Sequence, residues 1–196
     1  MKDKRQAILE ATRILLAQYG FHGFSMKQLA QQAGVAAGTV YLYFKDKEDL
    51  IRQLHEQILA DVAECVFANH DTSRPLFEQY RQLWRSFWAF CIDHPDVVLS
   101  KDQFDHLPPD IQQAQQANAE RLFAPMLVMF DRGRHEKALK PLPDEVLSSL
   151  SIETCSVLAR KQLLGQITLD DAAQEAAITA SWDAIALASS GPTQEK

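Results

Sequence analysis

The 196-residue chain is short of glycine, with seven, and of cysteine, with three. No segment keeps a period-2 alternation rich in β-branched residues, so nothing in the pattern supports a half-buried strand. Uncharged apolar runs are short, Leu122 to Phe130 being among the longest, whereas a membrane-spanning helix needs about 20 apolar residues. No membrane partner is therefore expected. The N-terminus carries Lys2, Asp3, Lys4 and Arg5 and lacks the apolar core of a signal peptide. Cys65, Cys91 and Cys155 are odd in number, widely spaced and form no C-x-x-C, which fits a reduced, cytoplasmic chain. All three sit in apolar helical contexts and read as inert core. There is no G-x-S-x-G, no Gly-rich phosphate loop and no H-E-x-x-H. His22, His55, His70, His94, His106 and His135 show no metal-ligand spacing. Asp102, Asp105 and His106 read as a solvated turn before Pro108. Catalytic residues, a metal site and a cofactor are all expected to be absent.

Excess positive charge is also lacking, since the chain carries a formal −6. That total excludes a basic nucleic-acid coat but conceals an asymmetry. Residues 1–50 hold seven basic and five acidic side chains, giving +2, and the remainder gives −8. A mildly basic head precedes an acidic body.

What the chain has is helical periodicity, and the expected fold is all-α with about nine helices. Ile8, Ala11, Leu15, Leu16 and Tyr19 share one face of a first helix ending near Gly20. Ser25 and Gln28 have the spacing of a capping box that opens a second helix. Phe24 and Leu29 flank that cap as a hydrophobic staple, and Gly34 closes the helix. A third helix spans about Ala37 to Tyr43, and Asp46 caps a long fourth that stops in the polar stretch Asn69 to Ser73. A fifth, from about Pro75 to Asp93, is broken by His94-Pro95, and a short piece covers Asp96 to Phe104. Pro109 opens a helix that passes through the Gln/Ala-rich Gln112–Gln116, kinks at Pro125 and reaches about Arg132. Gly133 to Pro143 reads as loop and Asp144 to Leu164 as one helix ended by Gly165. The last helix runs from about Leu169 to Ala188 with Thr168 as cap. The expected division is a helix-turn-helix head over 1–48, an antiparallel helical ligand-binding and dimerisation domain over 49–190, and a flexible tail over 191–196.

Ser25 to Leu50 places two short helices around Ala33-Gly34-Val35. A helix-turn-helix has this arrangement, with one helix bracing across the backbone and the second entering the major groove. Small residues at Ala30 and Ala33 allow a close crossing, plugged by Val35 and Val40. The order Gly20-Phe21, Ser25-Met26, Leu29-Ala30, Ala33 through Phe44, Lys47 and Leu50 resembles the signature of the TetR/AcrR repressors. Ile8, Leu9, Ala11 and Leu15 match the first helix of that family. The resemblance covers about residues 5–51 and implies a double-stranded, near-palindromic DNA operator as partner.

It also implies roles for matching residues. Thr39 and Tyr41 would contact phosphates or base edges, Tyr43 would face the backbone, and Lys47 would meet a phosphate. Ser25 would donate to a phosphate beside the free N–H groups of the second helix, with Lys27 and Gln28 next on that face. Gly38 would let the recognition helix approach closely. The chain departs from the pattern at Ala36 and Ala37, where the family often has Ser and then Lys, Arg or Pro. Alanine can touch a thymine methyl but cannot read guanine. Readout would then rest on Thr39, Gln28, Lys27 and DNA shape. Without the resemblance, a short Ala/Gly helix pair with Tyr41, Tyr43 and Phe44 as core aromatics would serve packing alone.

In the body, Phe77, Tyr80, Trp84, Phe87, Trp88 and Cys91 fall on one broad helical face. Most read as core, yet so many rings on one helix also suit an aromatic or amphipathic ligand. The resemblance implies an effector cavity enclosed by the fourth to eighth helices. Candidate lining residues are His55, Leu59, Tyr80, Trp84, Trp88, Phe123, Met126, Met129 and Cys155. An acidic body would favour a cationic amphipathic effector, although the same residues serve solubility. Ala172, Ala173, Ala176, Ala177, Ala180, Ala184 and Ala188 put small residues at i, i+4 spacing. With the preceding helix they suggest a homodimer through the last two helices. The expected function is a transcriptional repressor released from its operator by a small molecule. The alternatives are a small helical ligand-binding protein or enzyme using the aromatic cavity, and an interaction module whose head binds protein.

Overall fold

The computed structural model describes residues 3–101, 104 and 109–187, with backbone only for 109–114. Asp102, Asp105, His106, Ala188 and the tail therefore lie outside the described residues. Eleven helices are present among those described: α1 Lys4–Tyr19, α2 Met26–Gln32, α3 Ala37–Tyr43, α4 Lys47–Phe67, α5 Leu76–Asp93, α6 Pro95–Ser100, α7 Pro109–Leu122, α8 Ala124–His135, α9 Asp144–Leu150, α10 Ile152–Leu163 and α11 Asp171–Ile185. None of the described helices is long and apolar enough to cross a membrane. The only departure from helix and loop among these residues is an isolated antiparallel bridge between Leu139 and Ala186.

The chain packs as two compact units that alternate in sequence. The first comprises residues 1–63 with 94–122, and the second 64–93 with the residues from 123 onward. The first thus includes α6 and α7 as well as the head expected over 1–48. Within it α1 packs against α2, α3 and α6, and α2 against α3. Ile8, Leu9, Leu16, Leu29, Val40, Phe44, Leu50 and Ile51 are all essentially inaccessible to solvent. Burying an aliphatic side chain of this size contributes about 1.5–3 kcal/mol. Thr12, also buried, donates its hydroxyl to the Ile8 carbonyl at 2.7 Å and leaves no unpaired oxygen in that face. Arg13 of α1 pairs with Asp96 of α6.

In the second unit α10 lies along α5, and α11 packs on α5 and α9. Tyr80 donates to the Ser181 hydroxyl at 2.7 Å, which itself donates to the Ala177 carbonyl at 2.7 Å. Arg81 and Arg85 of α5 both reach Glu175 of α11, at 2.8 and 2.7 Å. The guanidinium of Arg81 holds the Glu175 carboxyl below its ordinary pKa.

Several expected boundaries shift for identifiable reasons. The helix expected through Pro125 is broken, not kinked. Phe123 leaves helical geometry at φ −96° and ψ 13°, and Pro125 falls in the first turn of α8, where its missing N–H costs nothing. The helix expected over Asp144–Leu164 is divided at Ser151. The Ser151 hydroxyl bonds back to the Leu147 carbonyl and its own carbonyl accepts from Thr154. Asp170, not Thr168, caps α11, accepting the Ala173 N–H at 2.8 Å. Gly133 belongs to α8, not to a loop, because the chain folds back onto it. The N–H groups of Ala138 and Leu139 both donate to its carbonyl, at 2.9 and 3.0 Å. Cys91 and Cys155 are buried as expected, but Cys65 is exposed.

Gly133 is required by close approach. A Cβ there would stand 2.5 Å from Leu139 Cδ1 and 2.6 Å from its Cγ, and Leu139 is itself fully buried. Gly133→Ala is expected to lower stability by about 1–3 kcal/mol despite the better helix propensity of alanine. Chemical denaturation of the two proteins measures it.

Candidate nucleic-acid interface and effector groove

The head is built from its caps. Ser25 closes a full capping box: its hydroxyl accepts the Gln28 N–H at 3.3 Å, and Gln28 Oε1 accepts the Ser25 N–H at 2.8 Å. That geometry fixes the start of α2 and commits the carbonyl oxygen of Gln28, so its amide nitrogen is what the residue has to offer outward. The turn to α3 needs Gly34, which takes a left-handed φ of +67°. The Val35 N–H then donates to the Ala30 carbonyl at 3.0 Å. Phe24, Leu29 and Ala30 are buried at this crossing and Val35 is half-buried.

Val40 and Phe44 anchor α3 to the core, with no accessible surface at Val40. Everything else on the helix faces outward or is half-buried. Ala36, Ala37 and Gly38 are exposed, Tyr41 is 56% and Tyr43 40% exposed, and Thr39 is half-buried. Leu42 is 82% exposed, so the sequence reading missed a residue of this face. At helical spacing Ala37, Gly38, Tyr41 and Leu42 form one continuous outward strip. A Cβ on Gly38 would meet no atom of the protein within 4 Å, so internal packing does not demand glycine there. Lys27 and Lys45 are exposed beside these helices.

Lys47 is placed differently from the expectation. Its ammonium donates to the Phe24 carbonyl and lies 3.8 Å from the centre of the Phe24 ring and 5.2 Å from that of Phe21. Partial burial lowers its pKa. In this arrangement Lys47 ties the start of α4 to the loop before α2. Asp46 caps α4 as expected, accepting the Asp49 N–H at 2.8 Å.

The nine expected effector residues do not all fall in one unit. Tyr80, Trp84, Trp88, Phe123, Met126, Met129 and Cys155 belong to the second unit. There Trp84 and Trp88 stack with centroids 5.4 Å apart, and Tyr80 lies against Trp182 at 5.4 Å. Tyr80, Trp84, Met129 and Cys155 are buried, while Phe123 and Met126 are half-buried. The Cys155 thiol rests 3.8 Å from the Trp84 carbonyl, and burial beside the Cys91 thiol pushes its pKa far up. These contacts are those of packed core.

His55 and Leu59 belong to the first unit and line a groove of about 310 Å³ with Lys101, Phe104, Gln115, Gln116 and Ala119. His55 stacks on Phe104 with centroids 4.6 Å apart at 26°. The Gln115 side chain is 5% exposed, and its Nε2 is buried without a hydrogen-bond partner. Leaving such a donor unpaired costs about 1–3 kcal/mol. Sequence periodicity could not find this group, because Gln112–Gln116 read as a polar helical stretch with no sign of which glutamine turns inward.

The N-terminus of α3 carries no side-chain cap, as Ala36 dictates. Its backbone already has the extended geometry of a cap residue, at φ −68° and ψ 145°. Ala36→Ser is expected to stabilise the protein by about 1 kcal/mol, read as a shift in denaturation midpoint.

Comparison with known proteins agrees with both parts of the chain. Residues 8–54 match the family model of the bacterial regulatory proteins, tetR family. Residues 75–186 match that of the tetracyclin repressor-like C-terminal domain. An HTH-type transcriptional regulator from Haemophilus influenzae is 32% identical over 185 residues, covering 93% of this chain and 96% of its own. The solved structure of a TetR family protein from Vibrio parahaemolyticus is 42% identical, with a TM-score of 0.84 over 95% of this chain and all of that one. The FadR regulator from Bacillus subtilis, solved in complex with stearoyl-CoA, shares the fold at 16% identity, with a TM-score of 0.73 over 92% and 98% of the two chains. These relatives are regulators of transcription and not enzymes, and with a helix-turn-helix head followed by a helical C-terminal region, the chain belongs to the TetR family of DNA-binding transcriptional regulators.

Proposed function

We propose that this regulator is a cytoplasmic homodimeric repressor that leaves a near-palindromic operator when a small molecule occupies its ligand groove. One observation carries the reading: the groove and the recognition helix belong to the same compact unit. Within that unit α6, which precedes Lys101 and Phe104, packs on α1, and α1 packs on α2 and α3. The Arg13–Asp96 pair joins α1 to α6. An occupant wedged against Lys101 and Phe104 would bias α6, and through α1 the angle of α3. A ligand shifts such an equilibrium only by its differential affinity for the two states. That a protein of the same fold, FadR, holds an acyl-CoA supports a small-molecule effector here.

In the DNA-bound state the strip Ala37, Gly38, Tyr41 and Leu42 enters the major groove, with Thr39 and Tyr43 at its edges and Ser25, Lys27 and Gln28 on the flanking phosphates. Ala37 and Leu42 provide apolar contact for thymine methyls. Lys47 acts through the Phe24 carbonyl by holding the α2 N-terminus in place. The dimer forms through α10 and α11. Val157 of α10 and Leu164 at its C-cap are 55% and 50% exposed, and Ala172, Ala173, Ala176 and Ala180 are exposed on α11. The small residues allow close approach of a second copy, and the two larger ones supply apolar area.

Fluorescence anisotropy with duplexes from the adjacent promoter tests the DNA reading. Tyr41→Ala is expected to reduce affinity at least about tenfold, the loss of one or two good contacts. Gly38→Ala is the sharper test. It is expected to raise stability by about 0.5–1 kcal/mol while weakening the operator complex, because only the DNA occupies the space above Gly38. Undiminished operator affinity in both variants, or no duplex binding by the wild type at low salt, would overturn the assignment. A second measurement addresses the dimer: Val157→Glu is expected to convert the particle from twice the chain mass to the monomer in sedimentation.

A further inference from the structure

Resting on the effector reading above, we propose that the groove between α4 and α7 is a site for a planar aromatic monocarboxylate. Two features define the shape. His55 and Phe104 stack at 4.6 Å and present a flat wall, and Leu59 and Ala119 add small apolar surface beside it. Flat rings pack against such a wall by offset stacking with little loss of freedom. The groove of about 310 Å³ admits one or two fused rings and is at the small end of ligand sites.

The polar groups define the charge. Gln115 is 5% exposed, and its amide nitrogen is buried with no partner. It is a donor awaiting an acceptor, since most buried amides in proteins are paired. Lys101 lines the same groove and adds an ammonium. Among the described side chains of α7 the acidic one is Glu120, which accepts from Gln116 Nε2 at 3.2 Å and is not among the lining residues. Two donors, one of them cationic, match the two oxygens of one carboxylate. A cationic amphipathic effector, favoured by the overall acidity of the body, would meet Lys101 as a like charge and leave Gln115 unsatisfied. Local donors outweigh the distant field, because charges beyond about 8–10 Å are screened.

The test uses the full-length protein and three probes of one ring system: 1-naphthoate, 1-naphthamide and 1-naphthylmethylammonium, with benzoate as the smaller acid. Isothermal titration calorimetry is expected to show saturable 1:1 binding of 1-naphthoate per chain, at least about tenfold weaker binding of the amide, and none of the ammonium. Lys101→Met is expected to abolish the preference for acid over amide. Gln115→Leu is expected to lose binding while raising the thermal midpoint by about 2–4 °C, because it removes an orphaned buried donor. That opposite pair of signs separates a ligand-binding group from a structural one. Tighter binding of the ammonium, no binding of either acid at millimolar concentration, or unchanged naphthoate affinity in both variants would overturn the proposal. Operator anisotropy run in parallel keeps the two readings apart. Naphthoate that binds without releasing operator supports the ligand class and defeats the release mechanism. Release by the ammonium with no naphthoate binding does the reverse.

Discussion

The helix-turn-helix of this protein has too little surface of its own to bury, and its position is held by α1. Two seven-residue helices fall well below the length at which a helix is stable alone. They persist because Ile8, Leu9, Leu15 and Leu16 of α1 offer an apolar face that Leu29, Val40 and Phe44 cover. The other side of that dependence is α6, which packs on the same helix and pairs Asp96 with Arg13. The element that holds α2 and α3 in place is thus also in contact with the segment leading to the groove between α4 and α7. Any displacement of α6 has a short mechanical path to α3 and needs no long chain of side chains to carry it.

Polar chemistry around this core is divided between construction and recognition. Ser25, Gln28, Asp46 and Lys47 each commit at least one hydrogen bond to a helix start or to the Phe24 carbonyl. The outward strip of α3 is correspondingly poor in charge. Ala36 and Ala37 supply neither a cap nor a long donor, and the exposed large groups are Tyr41, Leu42 and Tyr43. A surface of that kind reads methyl groups, groove shape and phosphate position better than guanine edges. The modest +2 of the first 50 residues agrees with it.

The aromatic-rich α5 shows why a cluster of rings in sequence is weak support for a ligand cavity. Trp84 stacks on Trp88, Tyr80 lies against Trp182, and the polar group that pairs with Tyr80 is an internal serine. Trp84 Nε1 and Gln115 Nε2 are both buried without a partner, but it is Gln115 that lines the groove, within a less conspicuous set of one histidine, one lysine, two glutamines and a single phenylalanine. Burial of an unpaired amide is costly for stability.

Much of the head was legible in the sequence. The capping box at Ser25, the left-handed Gly34, the span of α3 from Ala37 to Tyr43 and the missing cap at Ala36 are consequences of neighbours within four residues, which is the range local patterns reach. The all-helical character and the stop before Pro95 have the same origin. Tertiary structure decided the rest. It drew Gly133 into α8 against Leu139 and turned Lys47 inward over Phe24. It also set His55 on Phe104 beside the buried amide of Gln115. Periodicity says which face of a helix is apolar, but not which other segment will cover it. A glutamine becomes an orphaned donor only when residues 60 positions away close over it.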